Sequence, residues 1–144
     1  VNAAAPPIIT ARFDAVIAQG SRVLAKPDLN NFHKLRIQFK KLRYALEFVS
    51  PAYGDLLHPL IEEVVKIQDC LGDLQDTVFT RALIDRLLKR WKGNVLDPRL
   101  LFMLGELYEL QGEIARTKQT EFHKIWKQFD QDALRKTLAS ALAC

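Results

Sequence analysis

Apolar residues in this chain recur at intervals of three and four almost from end to end, and only 6 Gly and 6 Pro interrupt them. At about 100° per residue that spacing stacks apolar side chains along one side of an α-helix, whereas a half-buried strand needs strict alternation. An all-α fold is predicted. A first helix from about Ile8 to Ala25 presents Ile9, Phe13, Val16, Ile17 and Leu24, and it ends at Lys26-Pro27-Asp28 because Pro27 disfavours helical geometry at Lys26. A second helix runs from about Leu29 to Ser50, where Pro51 and Gly54 break it. A third begins near Asp55, with Leu56, Leu60, Ile61, Val64, Val65, Ile67 and Leu71 inward. Gly72-Asp73 reads equally as a helix stop with a new N-cap, Asp76 at the third position, or as a kink in one long helix. The period resumes with Val78, Phe79, Ala82, Leu83, Leu87 and Leu88 and stops at a Gly93-Asn94 turn.

Asp97-Pro98 then reads as N-cap and first helical residue of a last long helix. It runs to about Phe129 and carries Leu100, Leu104, Leu107, Tyr108, Ile114, Phe122, Ile125 and Trp126. Gln131 to Leu142 leaves room for a short terminal helix. Short links between four main helices predict an up-and-down four-helix bundle, with residues 1–144 as one domain.

With 144 residues, 49% hydrophobic and 26% charged, the chain has the composition of an ordinary globule. No apolar run approaches the roughly 20 residues that span a bilayer, so no membrane partner is expected. Cys70 and Cys144 have no CxxC neighbour, which points away from a disulfide framework or a zinc site and toward a reducing, cytoplasmic setting. The opening VNAAAPP lacks the basic start and apolar core of a signal peptide and reads as the edge of a longer chain. A net charge of +4 favours an anionic partner only weakly, so the distribution of charge must decide.

From Phe32 to Tyr44 the chain reads FHKLRIQFKKLRY, holding His33, Lys34, Arg36, Lys40, Lys41 and Arg43, and no acid follows until Glu47. On a helical wheel Arg36, Lys40, Arg43, His33 and Tyr44 fall in one sector about 100° wide, while Leu35, Phe39, Leu42, Leu46 and Val49 fill the adjoining one. The cations therefore border the apolar face, where packing restrains them and screening is weaker. A solvated helix face is usually laced with acids at four-residue spacing; this one is not, so its charges repel until an external anion joins them. Arg offers a planar fork for phosphate oxygens, Lys a compact ammonium, His a switchable donor and Tyr a neutral hydroxyl. One turn rises about 5.4 Å, so such a ladder meets successive charges of a linear anion.

Asp69, Asp73 and Asp76 fall on one side if the helix continues through Gly72. They read as Mg²⁺ or acid–base candidates, and more simply as caps or as partners holding the cations of the second helix. No catalytic dyad, metal site or cofactor is assigned. His58 and His123 lack partners at ligand spacing and take surface or packing roles, and Cys70 reads as a small buried hydrophobe. No GxxxxGK[ST], GxGxxG, GxSxG or HExxH string occurs, so an enzyme is not expected.

The string His33-x-x-Arg36-x-x-x-Lys40-Lys41-Leu42-Arg43-Tyr44, followed by Ile67-Gln68-Asp69-Cys70-Leu71-Gly72-Asp73-Leu74-Gln75-Asp76, resembles the CHAD family of α-helical domains that bind inorganic polyphosphate. Phe122 to Phe129, with Trp126, resembles that family's closing aromatic-basic helix, so the likeness runs from about Leu29 to Phe129. The resemblance implies a non-catalytic polyphosphate binder. Matched residue by residue, it gives the anion-contact role to His33, Arg36, Lys40, Lys41, Arg43 and Tyr44, with Lys34 beside them in the same run. Gln68, Asp69 and Asp76 match positions that organise the basic side chains. The family usually carries two such bundles in tandem and this chain resembles the second, which implies either a missing N-terminal half or a homodimer pairing two ladders around a twofold axis. Docking of an acidic protein is the alternative reading of the same face; nucleic acid is disfavoured, because Tyr44 alone is thin support for base stacking.

Overall fold

The computed structural model describes residues 5–91, 93, 95–129 and 132–143. The opening residues Val1 to Ala4, together with Asn94, Gln131 and Cys144, all used in the sequence reading, lie outside them. The chain forms α1 (Ala5–Ala25), α2 (Leu29–Tyr53), a 3-10 turn (Gly54–Leu57), α3 (His58–Arg90), α4 (Pro98–Phe129) and α5 (Asp132–Ala143), a helical bundle as predicted.

The boundaries follow local chemistry. Asp28 accepts the Asn31 N–H at 2.8 Å and caps α2; that bond, with Lys26 next to it, holds the Asp28 carboxyl below its ordinary range. Asp97 accepts the Arg99 N–H at 2.9 Å ahead of Pro98, the N-cap and first-residue pair expected of α4. Pro51 does not end α2, which continues to Tyr53. Proline cannot donate to the carbonyl of Glu47, and Ser50 Oγ bonds that carbonyl at 3.0 Å instead, so the last turn survives. The chain turns at Gly54, whose φ of 56° is a region that side chains disfavour. Gly72 neither stops nor caps: α3 passes straight through it.

The core is aromatic. Phe13 of α1, Phe32 and Phe39 of α2, and Phe122, Trp126 and Phe129 of α4 are fully or almost fully buried, with ring centroids 5.3 to 6.3 Å apart. Ile9 and Val16 from α1 and Leu60, Val64, Ile67, Leu71 and Leu74 from α3 complete it, and Leu138 and Ala141 of α5 close one end. Gln19, buried on α1, donates to the Asn31 carbonyl at 3.2 Å and ties α1 to α2.

Several residues expected inward are exposed instead: Leu24 and Leu56, and above all Phe79, Leu83, Leu87, Leu88, Leu100 and Leu107. Length explains the second group. At 1.5 Å per residue, α3 and α4 reach roughly 50 Å, whereas α1 and α2 reach roughly 32 and 38 Å. The far halves of α3 and α4 therefore continue as a two-helix hairpin beyond the elements that would cover them.

Cys70 is buried, with Sγ 3.4 Å from the Lys118 carbonyl. Burial, reinforced by the Glu121 charge, pushes its thiol up to about 11. The folded chain thus holds this proton more tightly than the unfolded one, so the stability this group contributes is present below about pH 9 and is lost as pH rises toward 11. In a Cys144→Ser chain, alkylation at pH 8 should run at least about 100-fold slower than for an open thiol and reach the open rate in guanidinium; a fast native reaction would contradict this placement.

Candidate functional site

The candidate cations ride on α2, and α3 forms the wall beside them. His33 Nδ1 lies 3.0 Å from Gln75 Oε1. A carboxamide oxygen only accepts, so Nδ1 carries the proton in that bond and Nε2 is left for an outside partner. In the antiparallel register this bond sets, Arg36 stands about level with Gly72 and Lys40 about level with Gln68. A Cβ at Gly72 would meet nothing within 4 Å, so the wall is open there.

Arg36 is half-buried, and its Nε is shut from solvent with no hydrogen-bond partner; Gln68 Oε1 is in the same state. A buried donor left unmatched costs about 1–3 kcal/mol, more when charged, and this Nε meets an outside acceptor only if the side chain turns outward. Lys40 Nζ sits 6.0 Å from the centroid of the exposed Tyr44 ring, at the outer reach of a cation–π contact. Among the described residues neither Arg36 nor Lys40 forms an ion pair.

Arg43 differs. Its Nε donates to Glu47 Oε1 at 2.6 Å, one turn along the same helix, and this bond, with a more distant pull from Asp69, raises the guanidinium above its ordinary value. The sequence reading left this cation unneutralised; a four-residue pairing satisfies it. Lys34 and Lys41 are exposed and, by helical angle, stand roughly a third of the circumference away from Arg36 and Lys40. The structure thus brings His33, Arg36, Lys40 and Tyr44 together on one side, adds Arg43 already paired, and turns Lys34 and Lys41 elsewhere.

The three aspartates of α3 separate as well. Asp73 bonds Lys118 of α4 at 2.9 Å, and Lys118 bonds Glu121 at 2.9 Å, two contacts that raise the ammonium well above its ordinary value. Asp69 and Asp76 are exposed, and among the described residues neither forms an ion pair with a cation of α2. They do not hold the Arg and Lys side chains directly. Among the described residues the one α3 side chain that bonds a candidate residue of α2 is Gln75, which holds His33 rather than an Arg or Lys, and which the sequence reading passed over although it lies seven residues from Gln68 and so on the same face of α3. His58 is exposed beside Asp55 at 3.8 Å, and His123 donates Nδ1–H to the Gln119 carbonyl at 2.6 Å. Among the described residues no group of three or more His, Cys, Asp or Glu is placed to hold a metal ion, and no helix is long and apolar enough to cross a membrane.

Fold and side chains together define an all-α bundle whose second helix offers unpaired cations beside an open wall, the outline of a binding domain. The model of the CHAD domain family matches residues 1–85, more than half of the chain, and the chain belongs to that family, one of non-catalytic, binding-type domains. The matched stretch covers α1, α2 and α3 as far as Asp85 and includes both motifs quoted above; the aromatic helix from Phe122 to Phe129 lies beyond it. No curated protein and no solved structure matches the chain.

Proposed function

We propose that this chain binds inorganic polyphosphate without catalysis, through the side of α2 that carries His33, Arg36, Lys40 and Tyr44. The observation that carries the reading is Arg36: a half-buried guanidinium whose Nε has no partner within the protein, one turn from an equally unpaired Lys40. Two like charges at four-residue spacing destabilise a helix by a few tenths of a kcal/mol unless an anion bridges them. A linear polyanion supplies such a bridge at every turn. Its oxygens suit the Arg36 fork, the Lys40 ammonium and the Tyr44 hydroxyl. Membership of a family known in general terms for polyphosphate binding supports the assignment.

A second reading has its own observation. Ile8, Ala45, Phe48 and Tyr44 line an apolar groove of about 600 Å³ between α1 and α2, next to the cations, which suits an amphipathic acidic segment of another protein.

Titration with polyphosphates of defined length at two salt concentrations, with pyrophosphate and single-stranded DNA as comparators, tests the proposal. Affinity is expected to rise with chain length beyond pyrophosphate and to fall with salt with a log–log slope of about −1.4, for the two charge contacts of Arg36 and Lys40. Equal affinity for pyrophosphate, or displacement by DNA at equal phosphate concentration, refutes it; no binding to any of the three shifts the assignment to the acidic protein partner.

A further inference from the structure

The hairpin formed by the far halves of α3 and α4 is the largest feature that polyphosphate binding leaves unexplained. Twelve of the eighteen exposed large apolar side chains among the described residues fall between Phe79 and Leu110. Phe79 is 58% exposed, Phe102 67% and Met103 63%. Together the twelve expose on the order of 1,000 Å² summed over all sides of the hairpin, and by helical angle Leu88 and Leu101 lie on the inner side, so one face carries part of that; the largest patch on a typical monomer is roughly 300–600 Å². A second copy of the chain carries the same apolar face, so one contact covers both.

Charge points to the same occupant. From Val78 to Arg90, α3 carries Arg81, Arg86, Lys89 and Arg90 against Asp85 alone; from Pro98 to Ile114, α4 carries Glu106, Glu109 and Glu113 against Arg99 alone. One arm is basic and the other acidic, yet they do not neutralise each other: Arg81 stacks over Tyr108 at 4.0 Å, Glu109 bonds Arg116 within α4, and among the described residues Arg86, Arg90, Glu106 and Glu113 form no ion pair. The Arg81–Tyr108 contact marks the sides on which the two helices meet. By helical angle, Phe79, Leu83, Leu87, Arg86 and Arg90 share a side of α3 turned away from that contact, and Phe102, Glu106 and Glu113 share such a side of α4.

We infer that this hairpin docks on the hairpin of a second copy of the chain about a twofold axis, the basic arm of each copy lying along the acidic arm of the other to complete an intermolecular four-helix bundle. A twofold contact is self-complementary by construction, and a surface with one positive and one negative arm flanking apolar seams satisfies it with every charge opposed. This pairing does not depend on what α2 binds.

Sedimentation of the 144-residue chain at micromolar concentration, without polyphosphate, is expected to give a dimer. Arg86→Glu with Arg90→Glu makes both arms acidic, and Glu106→Lys with Glu113→Lys makes both basic; each should weaken the dimer at least about tenfold through like-charge contact. Mixed in equal amounts, the two variants should form a heterodimer, since each acidic arm then meets a basic one. Leu83→Glu with Met103→Glu should give a monomer of unchanged helical circular dichroism. A monomeric unaltered chain overturns the inference, as does a dimer indifferent to both charge variants or a mixture that fails to pair.

Discussion

Replacing Arg36 and Lys40 together by glutamate is expected to abolish retention of long-chain polyphosphate while leaving helical content and thermal stability close to those of the unaltered chain. Each charged contact to an anion contributes about 1.5–3 kcal/mol, so losing both lowers affinity by on the order of 10²- to 10⁴-fold before repulsion is counted. Stability changes little because neither side chain is held by a carboxylate among the described residues, and the Arg36 Nε has no bond to lose. The matching control is Lys34→Glu with Lys41→Glu. It makes the same change in formal charge, from +4 to 0, on a different side of α2, and should weaken binding only about tenfold or less through the general field. Equal losses from the two double variants would mean that net charge, not a local site, holds the polymer. Arg43→Gln should also be mild, because Glu47 already occupies that guanidinium.

The largest expected loss of stability comes from one methyl group. A Cβ placed on Gly20 of α1 would fall inside the indole of Trp126, which is fully buried among Phe39, Phe122 and Phe129 and cannot withdraw. Gly20→Ala should therefore lower stability by about 3 kcal/mol, at the upper end for overpacking, rather than gain the helix propensity that the same change brings on an open surface. In a Trp126→Leu background, where the ring is gone, the same substitution should cost less than about 1 kcal/mol. A coupling of about 2 kcal/mol in this cycle, read from denaturant midpoints, confirms that the two residues share one volume. Additive effects would place Trp126 elsewhere. The indole Nε1 is buried with no acceptor, so packing rather than hydrogen bonding fixes the ring.

Much of the candidate site lay in the spacing of α2, and the part that did not is the part that depends on neighbours. Arg36 and Lys40 form a one-turn pair on the border of the apolar face in any helix drawn from this sequence. The wheel also separates Lys34 and Lys41 from them, although the run of basic letters invites grouping all six. Glu47 stands four residues beyond Arg43, a spacing that signals an ion pair, and reading it only as the first acid after His33 hid the bond. Gln75 is forty-two positions from His33. No local pattern assigns that contact, because it exists only once α2 and α3 lie antiparallel at one particular register. The same holds for Asp73, whose partner Lys118 comes from α4 rather than from the basic helix.

Where most helices begin and end, and which face of each is apolar, were determined by the sequence alone, since capping by Asp28 and Asp97, the φ of proline and the three-four period all act within a few residues. Which apolar faces become interior was decided only by the tertiary structure. Leu83 and Leu87 continue the apolar period of Val64, Ile67 and Leu71, which are buried, yet α1 and α2 end too soon to reach them. Burial requires a partner at the same height in the bundle, and height is set by where other segments stop.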